Sequence, residues 1–385
     1  MIKLIQNGVI YSPDNIGTKS ILVVGDTIAK IGDVNTEALQ AVGLEVQVIN
    51  AEGSMVIPGF IDPHIHLIGG GGEGGFATRT PEIQLSELVK HGITTVVGVL
   101  GTDGTTRHMT SLLAKARGLE EEGMTTYIYS GNYHVPPPTI TSCVKDDIIL
   151  IDKVIGVGEI AISDSRSAQP SLQEIAKLAA EARIGGLLAK KAGVIHFHVG
   201  PGKERLALLH QLLATYEIPP TNIYATHVSR SRELVDDAIS LSQKGAYVDI
   251  TADSETGEWI RYFRKNGGDL SRLTISSDGN GSLPKFDKFG HLIGFKVASP
   301  KTLYEQVMTS VKDQGLALET VLPLVTRNTA NVLHLESKGV IREGADADML
   351  ILDADNMDIQ DVFAKGRHMV KNGEVIVKGT FENDV

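Results

Sequence analysis

Cysteine is nearly absent. Cys143 is the single one in 385 residues, which excludes an intramolecular disulfide and a cysteine-rich metal site and points to a reducing compartment. An excess of positive charge is absent too: 36 Lys and Arg face 47 Asp and Glu, a formal charge of −11, so neither nucleic acid nor a membrane surface is expected as a partner. No apolar run approaches the ~18 residues of a membrane span. The opening Met1-Ile2-Lys3-Leu4-Ile5-Gln6-Asn7-Gly8 is broken by Asn-Gly too early for a signal-peptide core, and the expected location is the cytoplasm. With 42% hydrophobic and 22% charged residues the chain reads as an ordinary globular protein, not a disordered or fibrous one. What it has in number is 41 glycines, suited to many tight loops, and 12 histidines.

Residues 1–55 alternate short β-rich runs, Leu4–Ile10, Ser20–Val24, Thr27–Ile31 and Val46–Ile49, with Asn-Gly and Gly-Asp turns, the pattern of antiparallel strands. The tail repeats it at Asp348–Leu352, Val362–Lys365 and His368–Val370, with a hairpin turn at Lys371-Asn372-Gly373-Glu374. The expectation is one small β-sandwich domain built from both chain ends, 1–55 and 336–385, around a central domain at 56–335. In that central part strand-like runs alternate with helical ones such as Ile83–Lys90, Thr110–Glu121, Leu172–Lys191 and Lys203–Tyr216. Eight candidate parallel strands result: Met55–Ile61, Thr94–Leu100, Thr125–Ser130, Val154–Ala161, Val194–His198, Ile223–His227, Ala246–Ile250 and Leu273–Ser277. Eight βα units in roughly 250 residues predict an α/β fold, a (β/α)8 TIM-like barrel whose active site gathers at the C-terminal strand ends. The run Gly69-Gly70-Gly71-Gly72-Glu73-Gly74-Gly75 neither matches GxGxxG nor opens a helix, which sets an open doubly wound sheet aside.

The first candidate strand leads into Asp62-Pro63-His64-Ile65-His66. Histidines at i and i+2 of an extended chain face the same side. Alone such a pair is a weak sign, because packed or surface histidines are common. His198 ends the fifth strand and His227 the sixth, 29 residues on, which makes them neighbours on a barrel rim. Asp278 follows the eighth. Imidazole and carboxylate together suit zinc or a similar divalent ion, and five ligands exceed one tetrahedral structural site, so two adjacent metals are expected. Glu159 lies in Val157-Gly158-Glu159-Ile160-Ala161-Ile162, a run too apolar for a solvated carboxylate. It either bridges two cations or forms a salt bridge to Arg166 or Lys153. His196 shares a face with His198 but lies deeper and reads as a packing residue, while His91, His108, His210, His291, His334 and His368 read as structural or surface.

These residues resemble the amidohydrolase superfamily, which opens on Pro-Gly-x-Ile-Asp-x-His-x-His and closes its barrel with Asp. Leu67-Ile68-Gly69-Gly70-Gly71-Gly72-Glu73, Gly131-Asn132-Tyr133-His134, Ile162-Ser163-Asp164-Ser165-Arg166-Ser167, Thr226-His227-Val228-Ser229-Arg230 and Ser276-Ser277-Asp278-Gly279-Asn280-Gly281-Ser282 narrow the resemblance to the isoaspartyl dipeptidases. One departure stands out: the family's best-known members carry a carboxylated lysine at the bridging position, where this chain has Glu159. By resemblance, His64, His66 and Asp278 hold one metal, His198 and His227 the other, and Glu159 and a hydroxide lie between them. Asp278 then serves as general base and acid, and Tyr133 hydrogen-bonds the oxyanion. A β-aspartyl dipeptide carries one ammonium and two carboxylates. Glu73 is expected to pair with the ammonium, Arg166 and Arg230 to take carboxylates, and Thr102 and Ser282 to add neutral hydrogen bonds. The glycines around Glu73 allow either close approach or a mobile lid. The implied function is metal-dependent hydrolysis of β-aspartyl dipeptides by a homo-oligomer. The rival readings are a cyclic-amide hydrolase, an N-acyl amino acid deacylase, and a non-catalytic dihydropyrimidinase-like scaffold.

Overall fold

The computed structural model describes residues 2–41, 43–286 and 292–382; His291 lies outside them. Eight parallel strands form one sheet in strict chain order: β1 (Phe60–Ile65), β2 (Ile93–Gly98), β3 (Thr125–Ser130), β4 (Val154–Ile162), β5 (Val194–Val199), β6 (Ile223–Thr226), β7 (Tyr247–Thr251) and β8 (Leu273–Ser276). The ring is completed where Ile65 bridges Gly279 in parallel sense and the His66 amide donates to the Gly279 carbonyl at 2.9 Å. Every residue of β4 is buried, as parallel strands covered on both faces require. Helices between the strands supply the outer cover. In Leu172–Ala189, Ser171 and Glu174 form a reciprocal capping box, and Ile175, Leu178, Ala179 and Ala182 turn inward, the spacing of one helical face. Among the described residues no helix is long and apolar enough to cross a membrane.

The first expected barrel strand, Met55–Ile61, is two strands with different partners. Ser54–Pro58 joins a second sheet, antiparallel to Met349–Asp353, whereas β1 begins at Phe60. Gly59 is the join, and a Cβ there would meet Thr94 Oγ1 at 2.3 Å, so only glycine lets the chain pass this close to β2. Apolar residues on both sides of Pro58-Gly59 make the two strands read as one, and that pair alone marks the change of sheet.

The second sheet draws its nine strands from both chain ends. It forks at Ile2–Tyr11, whose first half runs parallel to Val46–Asn50 and whose Val9 and Ile10 pair with Met55 and Val56. Ile5, Ile10, Ile21, Val23, Ile28, Val56, Met349, Ile351 and Phe363 fill its interior. A buried cation ties this sheet to the barrel: Lys338 Nζ reaches Asp346 at 2.7 Å, Asp348 at 2.5 Å and Thr125 Oγ1 on β3 at 2.7 Å.

Candidate active site

The central carboxylate owes its position to a flaw in strand pairing. Ile195 pairs with Val157 and Phe197 with Ile160, so β4 holds one extra residue at Gly158-Glu159. Such a bulge re-aims a side chain. The Glu159 carboxylate meets histidines from three other strand ends: Oε2 lies 2.9 Å from His64 Nε2, 3.6 Å from His198 Nδ1 and 4.0 Å from His227 Nε2. Asp278 approaches beside it, with Oδ1 3.2 Å from His66 Nε2 and 3.4 Å from His64 Nε2. His227 and Asp278 both adopt left-handed backbone, φ 63° and 51°, uncommon outside glycine and typical where a site dictates side-chain direction.

The ion-pair alternative for Glu159 is not what the structure shows. Lys153 pairs with Glu120, and Arg166 with Asp164 and Glu73. Three overlapping trios, His64/His66/Glu159, Glu159/His198/His227 and His64/His227/Asp278, each bring potential ligand atoms within 4.8 Å of one another. Both Glu159 oxygens and His64 Nε2 are buried with no hydrogen bond from any described residue; the close His64 approach lacks hydrogen-bond geometry. Such orphaned polar atoms are costly, and cations among them would relieve the cost. The donor set is all imidazole and carboxylate, which fits divalent metal.

Electrostatics binds the cluster further. Burial disfavours charge on both partners, yet Glu159 and Asp278 push His64 up to about 9, and His64 and His198 hold Glu159 well below the usual carboxylate range. Against the same burial, His66 and His64 hold Asp278 low, so it is ionised at neutral pH. Asp62 accepts from the backbone N–H groups of His64 and Ser277, stitching β1 to the residue after β8. Burial, partly offset by those bonds, lifts it to about 7.

Over this cluster lies a cavity of about 260 Å³ whose lining includes His66, Asp278, Tyr133 and His198 together with Glu73, Thr102, Arg166, Arg230 and Ser282. The structure thus brings all twelve sequence-predicted site residues to one barrel mouth. Tyr133 Oη lies 2.8 Å from His198 Nδ1, and burial keeps it a neutral phenol, its pKa well above ordinary. Arg166 Nη1 lies 3.3 Å from Glu73 Oε1, and the guanidinium sits 5.3 Å from the centre of the Tyr133 ring. Arg230 donates from Nε to the Val199 carbonyl at 2.9 Å. Glu73 Oε2 and Ser282 Oγ are buried without a partner among the described residues.

Three participants escape sequence reasoning. His196 is more than packing: its Nε2 lies 3.1 Å from His64 Nδ1, and its ring stacks on Tyr129 at 4.9 Å. Burial keeps it neutral, so it can accept from His64 Nδ1–H and leave Nε2 facing the cluster. Buried Arg107 donates to the carbonyls of Ile68, Gly70 and Gly71 at 3.2, 2.7 and 3.2 Å. It pins the start of the glycine run that carries Glu73. Asp164, two residues before Arg166, bonds both Arg166 and His198. Its signal is its place in the same strand-end run.

The comparisons agree with this geometry. The family model described as "Amidohydrolase family" matches residues 55–379. A crystal structure of β-aspartyl dipeptidase from the thermophilic, keratin-degrading Fervidobacterium islandicum AW-1, in complex with β-Asp-Leu, superposes with a TM-score of 0.92 at 44% identity, covering 97% of this chain and 98% of that one. A second structure of a β-aspartyl dipeptidase from that organism gives 0.90 at 41% identity, with the same coverage. At greater distance the chain is 24% identical to a dihydroorotase of Lactobacillus gasseri, over 92% of this chain and 90% of that protein. The protein belongs to the amidohydrolase family, a family of hydrolases, on the branch that holds the β-aspartyl dipeptidases.

Proposed function

We propose that this chain hydrolyses the β-linked amide of aspartyl dipeptides, with two divalent metal ions, zinc by donor type, held by His64, His66 and Asp278 on one side, His198 and His227 on the other, and Glu159 shared. The observation that carries the reading is the wall of the cavity. Glu73, Arg166 and Arg230 surround a space of about 260 Å³, below the roughly 300–1,000 Å³ of drug-sized ligand pockets and suited to a small, multiply charged molecule. Glu73 and Arg166 face each other at 3.3 Å. A ligand with an ammonium and a carboxylate replaces that pair by two complementary ones, ammonium on Glu73 and carboxylate on Arg166, so both partly buried charges stay compensated. Arg230 takes the second carboxylate, and Thr102 and Ser282 supply neutral hydrogen bonds.

When bound, such ions acidify a coordinated water and polarise the scissile carbonyl. The protein does the rest. Asp278, ionised and close to both His64 and His66, accepts the proton of the attacking water and returns it to the leaving amine as the carbon–nitrogen bond breaks. Tyr133 stays protonated. With His198 Nδ1 committed as a ligand, its O–H is free to donate to the oxyanion that develops at the carbonyl oxygen. The test compares hydrolysis of β-Asp-Leu, α-Asp-Leu and a cyclic amide. Selective cleavage of β-Asp-Leu is expected; preference for the cyclic amide would move the reading to another branch of the family.

A further inference from the structure

We propose that Asp164 is a positioning residue whose single carboxylate fixes His198 as a metal ligand and Arg166 as a carboxylate clamp. The Arg166 half rests on the dipeptidase reading; the His198 half does not.

Asp164 follows β4, and its side chain is 3% exposed. Oδ1 accepts from the Arg166 backbone N–H at 2.8 Å and from Nε at 3.0 Å, while Oδ2 accepts from Nη2 at 2.8 Å. That is a two-pronged match of guanidinium to carboxylate, closed by a backbone bond two residues apart. It leaves Nη1 to face Glu73 and the cavity. The same Oδ2 lies 3.1 Å from His198 Nε2. Arg166 Nη2, a donor only, also lies 3.2 Å from that Nε2, but it already donates to Oδ2, and the neutral Tyr133 phenol stands 2.8 Å from Nδ1; a proton on Nε2 directed at the carboxylate and a lone pair on Nδ1 is the tautomer that serves both contacts. Nδ1 is the nitrogen that faces Glu159. Asp164 thereby sets which nitrogen of His198 can bind a cation, the usual work of a carboxylate behind a metal-ligating histidine.

The chain is built to allow this contact. Two residues after His198 comes Gly200, where a Cβ would lie 2.5 Å from Asp164 Cβ and 2.6 Å from its Cα. Glycine at that point lets the end of β4 press against the end of β5. Asp164 is anchored from its other side as well, its carbonyl accepting from Gln169 Nε2 at 2.9 Å and Ser167 N at 3.1 Å. What Asp164 removes is freedom: the rotation of Arg166 and the tautomer of His198.

The experiment uses the zinc-loaded enzyme and Asp164→Asn, which keeps the shape and removes the charge. Metal retention during dialysis against a chelator is expected to fall about 10- to 100-fold for one ion per chain, and KM for β-Asp-Leu is expected to rise about tenfold. In an Arg166→Met background the KM effect of Asp164→Asn should disappear. Wild-type retention together with unchanged KM overturns the proposal, as does a raised KM that persists in the Arg166→Met background. Nitrogen-15 NMR of histidine-labelled wild-type enzyme stands even where the variant does not fold: a His198 proton on Nε2 is expected, and one on Nδ1 overturns the proposal. A wild-type enzyme that ignores β-Asp-Leu refutes the functional reading and leaves retention and tautomer to decide this one.

Discussion

Glu159→Gln isolates the charge at the centre of the proposed metal pair. Gln matches Glu in size and shape, so the bulge at Gly158-Glu159 and the packing of β4 persist. The carboxylate is 1% exposed and lies within 4.0 Å of His64, His198 and His227. In the proposed loaded enzyme it is the shared anion for both cations. Removing one partner of a buried charge interaction costs about 3–5 kcal/mol, because the remaining charge stays buried and uncompensated. At about 1.4 kcal/mol per decade this weakens the affected ion roughly 10²- to 10⁴-fold. The assay is equilibrium dialysis in metal-buffered solution, with elemental analysis of the protein and circular dichroism to show that the fold is kept. Two ions per chain, held within threefold of the wild-type affinity, would refute the bridge.

Asp278→Asn should keep the fold and much of the metal while turnover of β-Asp-Leu falls about 10²- to 10⁴-fold, the usual worth of a positioned acid–base group; near-normal turnover would remove Asp278 as proton carrier. Lys338→Met strands the carboxylates of Asp346 and Asp348 beneath the barrel, so urea unfolding should report a loss of about 3–5 kcal/mol, and a loss below about 1 kcal/mol would show that the pairings contribute little. Burial, then the charges of Lys90 and Lys301, pushes His91 down to about 4. Above its unfolded value of ~6.5 both states are neutral; as pH falls from there toward 4 the unfolded chain takes the proton first, and stability drops. Discounted for a partly exposed ring, the drop is about 1 kcal/mol, and unfolding at pH 7.5 and 4.5 should show it shrink in His91→Gln.

Much of the barrel was legible because its strands are buried on both faces and read as apolar runs separated by amphipathic helices. The cluster of candidate metal ligands was legible for a different reason: each member interrupts or ends such a run with a polar group that apolar surroundings penalise. Glu159 is the clearest case, a carboxylate in the middle of β4. What the chain pattern half conceals is where one run serves two sheets, since in Met55–Ile61 only Pro58-Gly59 marks the change of hydrogen-bonding partner. Residues that act through another residue were hidden as well. His196 looks like any inward histidine until its distance to His64 is known, and Asp164 looks like an ordinary turn aspartate. Arg107 sits 36 to 39 residues from the carbonyls it holds, a contact only the folded barrel creates.

The most direct measurement of the central claim is a zinc titration of metal-free enzyme, following hydrolysis of β-Asp-Leu and α-Asp-Leu together with bound metal. Activity is expected to rise until two ions are bound per chain, with only the β-linked dipeptide cleaved at an appreciable rate. Full activity at one ion per chain would contradict the shared Glu159, and metal uptake without cleavage of β-Asp-Leu would contradict the proposed reaction.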